Sequence, residues 1–244
     1  MSTDLQPLME HLLELRDRLL RGILVFLAGF FVCFYFSQPL YDLLVAPLAS
    51  VLPGQKLVSI GIASPFVLQI KIAAMAAFVV TLPHTLYQAW AFVAPGLYQH
   101  EKRLVLPLVV SSTLLFFVGM AFAYFFVFGT VFHFIATVVP ASMQWLPDSG
   151  EYLDFVLGMF LAFGLTFEVP VAVVVLVHLG IVSVAKLREW RPYIIVGAFV
   201  VAAVVTPPDV VSQCLLALPL WLLFELGCFV AQWTGRRTEA VKQA

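Results

Sequence analysis

The stretch that decides the fold of this chain is LVLPLVVSSTLLFFVGMAFAYFFVFGTVFHFIATVV, residues 104–139, which contains no Lys, Arg, Asp or Glu over 36 residues. A helix of about 20 apolar residues crosses the hydrocarbon core of a bilayer, and this stretch would extend about 54 Å as one helix. A hairpin would need a stronger turn signal than Gly129. The stretch therefore predicts one long, tilted transmembrane helix.

Five further segments are uncharged or nearly uncharged: residues 19–36, 72–91, 152–179, 193–206 and 210–233. Because 62% of the chain is hydrophobic and only 11% is charged, we expect an all-α integral membrane protein. It would have six transmembrane helices in a single polytopic domain over residues 1–244. The fifth segment would extend only about 21 Å, and a tight turn at residues 207–209 follows it. We therefore expect short fifth and sixth spans.

The connections between these segments carry charge unevenly. They comprise an outer loop at residues 37–69, inner loops at 92–103 and 180–192, and a tail at 234–244. Only Lys56 and Lys71 lie on the outer side. The inner side has Arg16, Arg18, Arg21, Lys102, Arg103, Lys186, Arg188, Arg191, Arg236, Arg237 and Lys242. Since basic residues of short loops stay in the cytoplasm, the pattern predicts that both termini are cytoplasmic.

Glu168 is the most conspicuous polar residue inside the apolar segments. An ionised carboxylate there costs several kcal/mol unless it is paired, hydrated or protonated. Pro170 adds to the local polarity, because its missing N–H leaves the carbonyl of Thr166 without its helical partner. Two interpretations stay open: a neutral, hydrogen-bonded core glutamate, or a water-reached cavity used in transport or partner docking. A proton-coupled small-solute secondary transporter using Glu168 is the alternative function, although no internal repeat supports it.

Two carboxylates, Glu14 and Glu101, lie among the bases of the cytoplasmic side. One interpretation is local pairing, because Glu14 and Arg18 are four residues apart on a helix and Glu101 adjoins two bases. The other is a surface that binds a cationic peptide through bidentate guanidinium contacts.

Catalytic and metal-binding motifs are absent from the sequence, so it predicts no enzyme, cofactor or metal site. His84, His133 and His178 have no partners at metal-ligand spacing, and we expect them to form interhelical hydrogen bonds.

Several stretches together resemble the TatC family of the twin-arginine protein translocase. They occur in the family's order and cover nearly the whole chain: HLLELRDRL near the start, ASPF at 63–66, QAWAFVAPGLYQHEKR at 88–103, GMAFAYF at 119–125, FGLTFEVPV at 163–171, RPYIIVGAFV at 191–200 and TPPDVVSQ at 206–213. The resemblance implies a receptor for twin-arginine signal peptides of folded cargo proteins. Such a receptor resides in the bacterial cytoplasmic membrane and exports cargo using the proton-motive force. Its implied partners are the single-span TatA and TatB subunits, other copies of itself and the lipid bilayer, and no nucleic acid.

The resemblance also assigns roles to individual residues. Glu14 and Glu101 would bind the two arginines, and the signal-peptide site would also include Phe92, Leu97 and Arg16. Thr206 and Gln213 would form a polar patch that docks a partner helix, with Glu168 on a concave polar face. Pro47 and Asp209 would be functionally sensitive positions near the outer side.

Overall fold

The computed structural model describes residues 5–51, 57–93, 105–140, 146–206 and 209–243, and this part of the chain is helical apart from one isolated bridge between Val58 and Asp148. Its α-helices are α1 (Leu5–Tyr35), α2 (Ser37–Val51), α3 (Ser64–Val93), α4 (Val105–Phe122), α5 (Phe128–Val138), α6 (Ser149–His178), α7 (Val184–Glu189), α8 (Arg191–Val205) and α9 (Val210–Gln243). Five helical stretches are long and apolar enough to cross a membrane: Leu12–Tyr35, Ser64–Phe92, Leu106–Val138, Ser149–His178 and Val210–Trp233. The predicted all-α membrane class is confirmed.

The third apolar segment forms one continuous helical path, as predicted. Helix α4 passes into a π-helical turn, Ala123–Val127, which leads directly into α5. A π turn closes its hydrogen bonds over five residues instead of four and so accommodates an extra residue without ending the helix. The sequence did not predict this turn.

The fifth and sixth apolar segments differ in length. Helix α8 is short and apolar, with 15 residues or about 22 Å, so the prediction of a short fifth helix is confirmed. The prediction of a short sixth span is wrong, because α9 has 34 residues, and its apolar stretch Val210–Trp233 has 24. The helix continues beyond this stretch because the following residues include good helix formers such as Arg, Glu, Ala and Lys.

Local sequence signals explain the boundaries of α6. The Asp148 side chain caps its start by accepting hydrogen bonds from the backbone N–H groups of Gly150 (2.8 Å) and Glu151 (3.1 Å). At the other end Gly180 has a φ of 68°, and Ile181 N donates to the carbonyl of Leu176 at 3.1 Å. This Schellman arrangement requires the left-handed conformation that glycine adopts without strain.

The chain divides into two compact units. The first comprises the described residues of Met1–Leu43 and Gly61–Thr113, and its core is the contact between α1 and α3. Small residues of α3, Ala73 and Ala77, pack there against phenylalanines of α1. A Cβ added to Gly29 would meet the side-chain methyl of Thr81 at 3.0 Å, so the two helices approach closely.

The second unit comprises the described residues of Leu44–Ile60 and Leu114–Ala244, and α6 and α9 pack at its centre. A Cβ on Gly227 would lie 2.8 Å from the Cα of Pro170 and 3.0 Å from the Cβ of Val173. A Cβ on Gly119 would lie 2.5 Å from the carbonyl oxygen of Phe163. Absence of a side chain at these glycines therefore permits backbone contact between helices.

A segment that precedes α3 is bound to the start of α6 within this second unit. Val58 N donates to Pro147 O at 3.1 Å, and Ser149 N donates to Val58 O at 2.8 Å. The Tyr152 hydroxyl donates to the carbonyl of Leu44 at 2.7 Å. These bonds fix part of the predicted outer loop against the α6 N-terminus.

Candidate functional site

A polar chain of four side chains connects α1 and α3 in the first unit. Arg18 donates to Glu14 Oε1 through Nε (3.0 Å) and Nη2 (2.6 Å), one helical turn apart on α1. Its Nη1 also donates to Gln88 Oε1 on α3 at 3.3 Å, and Gln88 Nε2 lies 3.3 Å from His84 Nε2. The guanidinium of Arg18 therefore bonds to both a carboxylate and an amide, and these two acceptors come from different helices.

An apolar cavity of about 460 Å³ adjoins this polar chain. Its polar residues include Arg18 and Gln88, and Phe92 lies in its wall near the end of α3. The remaining lining residues are Leu15, Leu19, Gly22, Ile23, Phe26, Phe78, Thr85 and Ala89. The arrangement combines a guanidinium–carboxylate pair with a neighbouring apolar recess.

The structure brings together part of the predicted signal-peptide site. Glu14 and Phe92 both belong to the first unit, and Glu14 forms the local pair with Arg18 that one interpretation of the sequence predicted. Arg16 is exposed and pairs with the adjacent Asp17 at 2.9 Å. Leu97 and Glu101 lie outside the described residues.

Glu168 lies on α6 in the second unit, where its side chain is half-buried. The two residues that the sequence associates with it, Thr166 and Pro170, are buried, and α6 continues through the proline to His178. The carboxylate is therefore placed in the middle of the longest apolar part of this helix.

The residues of the predicted polar patch lie where α8 ends and α9 begins. Thr206 is buried, and its hydroxyl donates back to the carbonyl of Ala202 at 2.8 Å. Asp209 Oδ1 accepts from Ser212 N at 2.7 Å, so Asp209 caps α9, and Gln213 is half-buried one residue further along. Asp209 Oδ2 is buried and has no hydrogen-bond partner among the residues that the structure describes. These positions supply polar groups at the junction between two apolar helices.

Pro47 lies inside α2 and is half-buried. Its carbonyl accepts a hydrogen bond from the Ser50 hydroxyl at 2.7 Å, which satisfies one acceptor near the end of this helix.

The sequence did not predict the polar contacts that α9 makes with the segment before and at the start of α8. Arg191 donates to Glu225 at 2.6 Å, and Arg188 donates to Gln232 at 2.9 Å. Glu225 and Gln232 are seven residues apart, which places them on one face of α9. The contact between Arg191 and Glu225 is an ion pair between helices. The sequence could not predict this pair from residue spacing, because Arg191 and Glu225 are 34 residues apart and lie on different helices.

The histidines differ from the expectation of interhelical hydrogen bonds. His84 bonds to Gln88 of its own helix, and His178 Nδ1 lies 3.1 Å from the carbonyl of Val174, also in its own helix. The prediction is wrong for these two, because residues four apart on a helix are neighbours and supply the nearest partners. Among the described residues, no group of three His, Cys, Asp or Glu side chains is arranged to hold a metal ion.

Five apolar helical stretches of spanning length and one shorter apolar helix define a multi-pass helical membrane protein. Residues 10–219 match the family model described as Sec-independent protein translocase protein (TatC). The chain belongs to the TatC family. It is therefore a component of the twin-arginine protein translocase and not an enzyme, and the small-solute transporter alternative gains no support.

Individual relatives agree with this assignment. The chain is 53% identical to the Sec-independent protein translocase protein TatC of Azotobacter chroococcum over 96% of its length and 92% of the relative's. It is 50% identical to that of Escherichia coli K12, with 97% and 93% of the two chains covered. A crystal structure of the twin arginine translocase receptor TatC has 38% identity and a TM-score of 0.82, covering 91% of this chain and 98% of the other.

Proposed function

We propose that this subunit is the signal-peptide receptor of the translocase and that Glu14 and Glu101 bind the paired arginines of the cargo's signal peptide. The observation that carries the proposal is the pair between Glu14 and Arg18, in which the carboxylate already accepts two hydrogen bonds from one guanidinium. Phe92 and Arg18 both line the adjacent cavity, so Phe92 supplies apolar contact area near the guanidinium that holds this carboxylate. Leu97 and Arg16 complete the proposed site.

The chemistry of arginine explains why such a site would prefer it to lysine. A guanidinium presents several N–H donors in a fixed plane, and it is less strongly hydrated than an ammonium group. Two carboxylates at a membrane surface rich in basic residues would offer an incoming arginine pair the acceptors that it needs.

We propose a topology of six spans in the bacterial cytoplasmic membrane with both termini in the cytoplasm. The support is the charge distribution of the sequence, with eleven bases on one side and two on the other. Helix α8 would be the fifth span, and its length of about 22 Å would suit a locally thinned bilayer. The Glu14 site would then face the compartment in which folded cargo is made.

The remaining polar positions are proposed as partner sites. Thr206 and Gln213 would dock the single-span TatA and TatB subunits, because polar side chains associate helices in an apolar solvent. Asp209 would be a functionally sensitive position near the outer side. Glu168 would belong to a concave polar face, and Pro47 would shape the outer side. Export would use the proton-motive force, and other copies of the chain would join the complex.

Binding of a synthetic signal peptide to the purified protein in nanodiscs tests the receptor function. We expect a peptide with two arginines to bind more tightly than the same peptide with two lysines. Glu14→Gln and Glu101→Gln should each weaken binding of the arginine peptide by about 1.5–3 kcal/mol, the contribution of a hydrogen bond to a charged group.

The control is Glu189→Gln, which removes an exposed carboxylate of α7 that pairs with Lys186. Equal affinity for the two peptides, or unchanged affinity in both site variants, would contradict the receptor function. A loss in Glu189→Gln as large as in Glu14→Gln would indicate only a general effect of negative charge.

A further inference from the structure

Arg18 occupies one oxygen, Oε1, of the Glu14 carboxylate that the proposed receptor offers to its ligand. The two hydrogen bonds to Glu14 Oε1 come from Nε and Nη2 of the same guanidinium. The Arg18 side chain is 22% exposed and that of Glu14 is 37% exposed, so the carboxylate is the more accessible partner. A ligand that approaches Glu14 from solvent therefore meets an acceptor that an arginine of the same chain already holds.

Gln88 gives the Arg18 guanidinium a second acceptor. Its amide oxygen lies 3.3 Å from Arg18 Nη1, and its amide nitrogen lies 3.3 Å from His84 Nε2 on the preceding turn. A guanidinium that leaves Glu14 would therefore keep one hydrogen-bond partner near the cavity. Hydrogen bonds to a charged acceptor are stronger than those to a neutral one, so the resting position favours Glu14.

We propose, on the basis of the receptor function above, that Arg18 is an internal competitor of the signal-peptide arginines and that Gln88 holds its guanidinium when the peptide binds. Competition lowers the apparent affinity by the fraction of molecules in which Glu14 is available. The same factor applies to every ligand of Glu14. Arg18 would thus lower the affinity for all peptides equally, while the geometry of the carboxylates sets the preference for arginine over lysine.

The test measures the dissociation constants of arginine and lysine signal peptides for nanodisc-embedded protein. Arg18→Gln should lower the dissociation constants of both peptides by the same factor, about two- to fivefold. This is the factor expected when a partly exposed ion pair is removed. Arg18→Lys keeps the charge but loses the planar fork of the guanidinium. It should therefore lower both dissociation constants, but by less than Arg18→Gln does. Arg21→Gln is the matched control, because it removes the same charge from an exposed position of α1.

A double-mutant cycle tests Gln88. Gln88→Leu should weaken binding in the wild-type background, because displaced Arg18 would keep neither acceptor while resting Arg18 would still hold Glu14. It should have no effect in the Arg18→Gln background. Equal effects of Gln88→Leu in both backgrounds would overturn this role of Gln88. All variants should keep a wild-type melting temperature within a few degrees, because the Glu14–Arg18 pair lies within one helix.

The outcomes separate the two proposals. Weaker binding in Arg18→Gln, or equal tightening in Arg21→Gln, would overturn internal competition while leaving the receptor function intact. A wild-type protein that binds neither peptide, or binds both equally, would overturn the receptor function and the competition with it.

Discussion

The ion pairs Glu14–Arg18 and Glu225–Arg191 have the same N···O distance, 2.6 Å, but the first lies within one helix and the second joins two helices. The first joins consecutive turns of α1, so that helix alone brings its partners together. The second joins the start of α8 to the middle of α9, so it exists only in the folded unit. A pair of the first kind can be exchanged for another guanidinium without opening the fold, whereas loss of the second removes a contact between two helices.

The glycine contacts show the same difference between the two units. Gly29 of α1 faces the side-chain methyl of Thr81 at 3.0 Å, and the Thr81 hydroxyl donates to the carbonyl of Ala77 at 2.8 Å. Gly227 of α9 faces the backbone of Pro170, which cannot move without moving α6. The contact between α6 and α9 is therefore the more rigid of the two.

The largest expected effect comes from filling the rigid contact. Gly227→Ala should destabilise the protein by about 1–3 kcal/mol, as overpacking of a tight core does. Gly197→Ala is the control, because a Cβ there has no neighbour within 4 Å, and a helix interior gains up to about 1 kcal/mol from this substitution. Melting temperatures in detergent check the difference, with Gly29→Ala expected between the two. Equal melting temperatures for all three would show that neither contact is rigid.

The next effect concerns the pair between helices. Arg191→Gln should lower the free energy of unfolding by about 1 kcal/mol, because Glu225 loses its partner while both groups keep some contact with solvent. Lys186→Gln breaks an exposed pair with Glu189 within α7 and should cost about 0.3–0.5 kcal/mol. Thermal unfolding of both variants in the same detergent compares them. If Arg191→Gln lowers the free energy of unfolding by less than Lys186→Gln does, the pair between helices is no more important for stability than the pair within α7.

A smaller effect on stability is expected at the local pair. Glu14→Gln should change the free energy of unfolding by about 0.3–0.5 kcal/mol, the range for a pair of residues four apart on a helix. The same variant should show a much larger loss of peptide affinity. Thermal unfolding and peptide binding measured on one preparation test this split, and a large loss of stability would make Glu14 a structural residue.

The smallest effect is a pH dependence at the α6 N-terminus. The backbone N–H of Glu151, with those of Gly150 and Ile60, holds the pKa of Asp148 below its usual value despite an opposing effect of burial. A lowered pKa stabilises the fold above the unfolded-state pKa of about 3.9, and this contribution is lost as the pH falls through the folded-state value. Asp148→Ala should therefore have a lower melting temperature than the wild-type protein at pH 7. The difference in melting temperature between wild type and Asp148→Ala should become smaller near pH 3. If it is the same at both pH values, the charge of Asp148 is not its cause.

Most of the fold could be predicted because charge-free segments of spanning length have few alternatives. Within the third apolar segment, Val105–Val138 forms one continuous helical path, as predicted. The length of α9 was missed, because a charged tail gives no hydrophobic boundary where a helix continues into it.

The site could be predicted only where its contacts are local or its motifs are shared with a family. The pair between Glu14 and Arg18 followed from a spacing of four residues, whereas the contact of Arg18 with Gln88 spans 70 residues. The ion pair between Arg191 and Glu225 was missed for the same reason. Glu101 was singled out as a carboxylate among bases, but its role in binding the signal peptide came from the resemblance to the family and stays a prediction.

The π turn at Ala123–Val127 gives the third span an unequal tolerance for length changes. One extra residue in a regular α-helix would rotate α5 by about 100°, but the wider π turn takes up the extra residue and keeps the same side chains of α5 towards α6. Phe128 and Phe132 use this orientation to contact Phe155, Phe160 and Tyr152. Deleting one residue inside the turn would regularise the helix and leave this aromatic face towards α6, whereas deleting one residue within α4 would turn the face by about 100°. The third span should therefore tolerate a one-residue deletion at the turn far better than one in the α-helix before it.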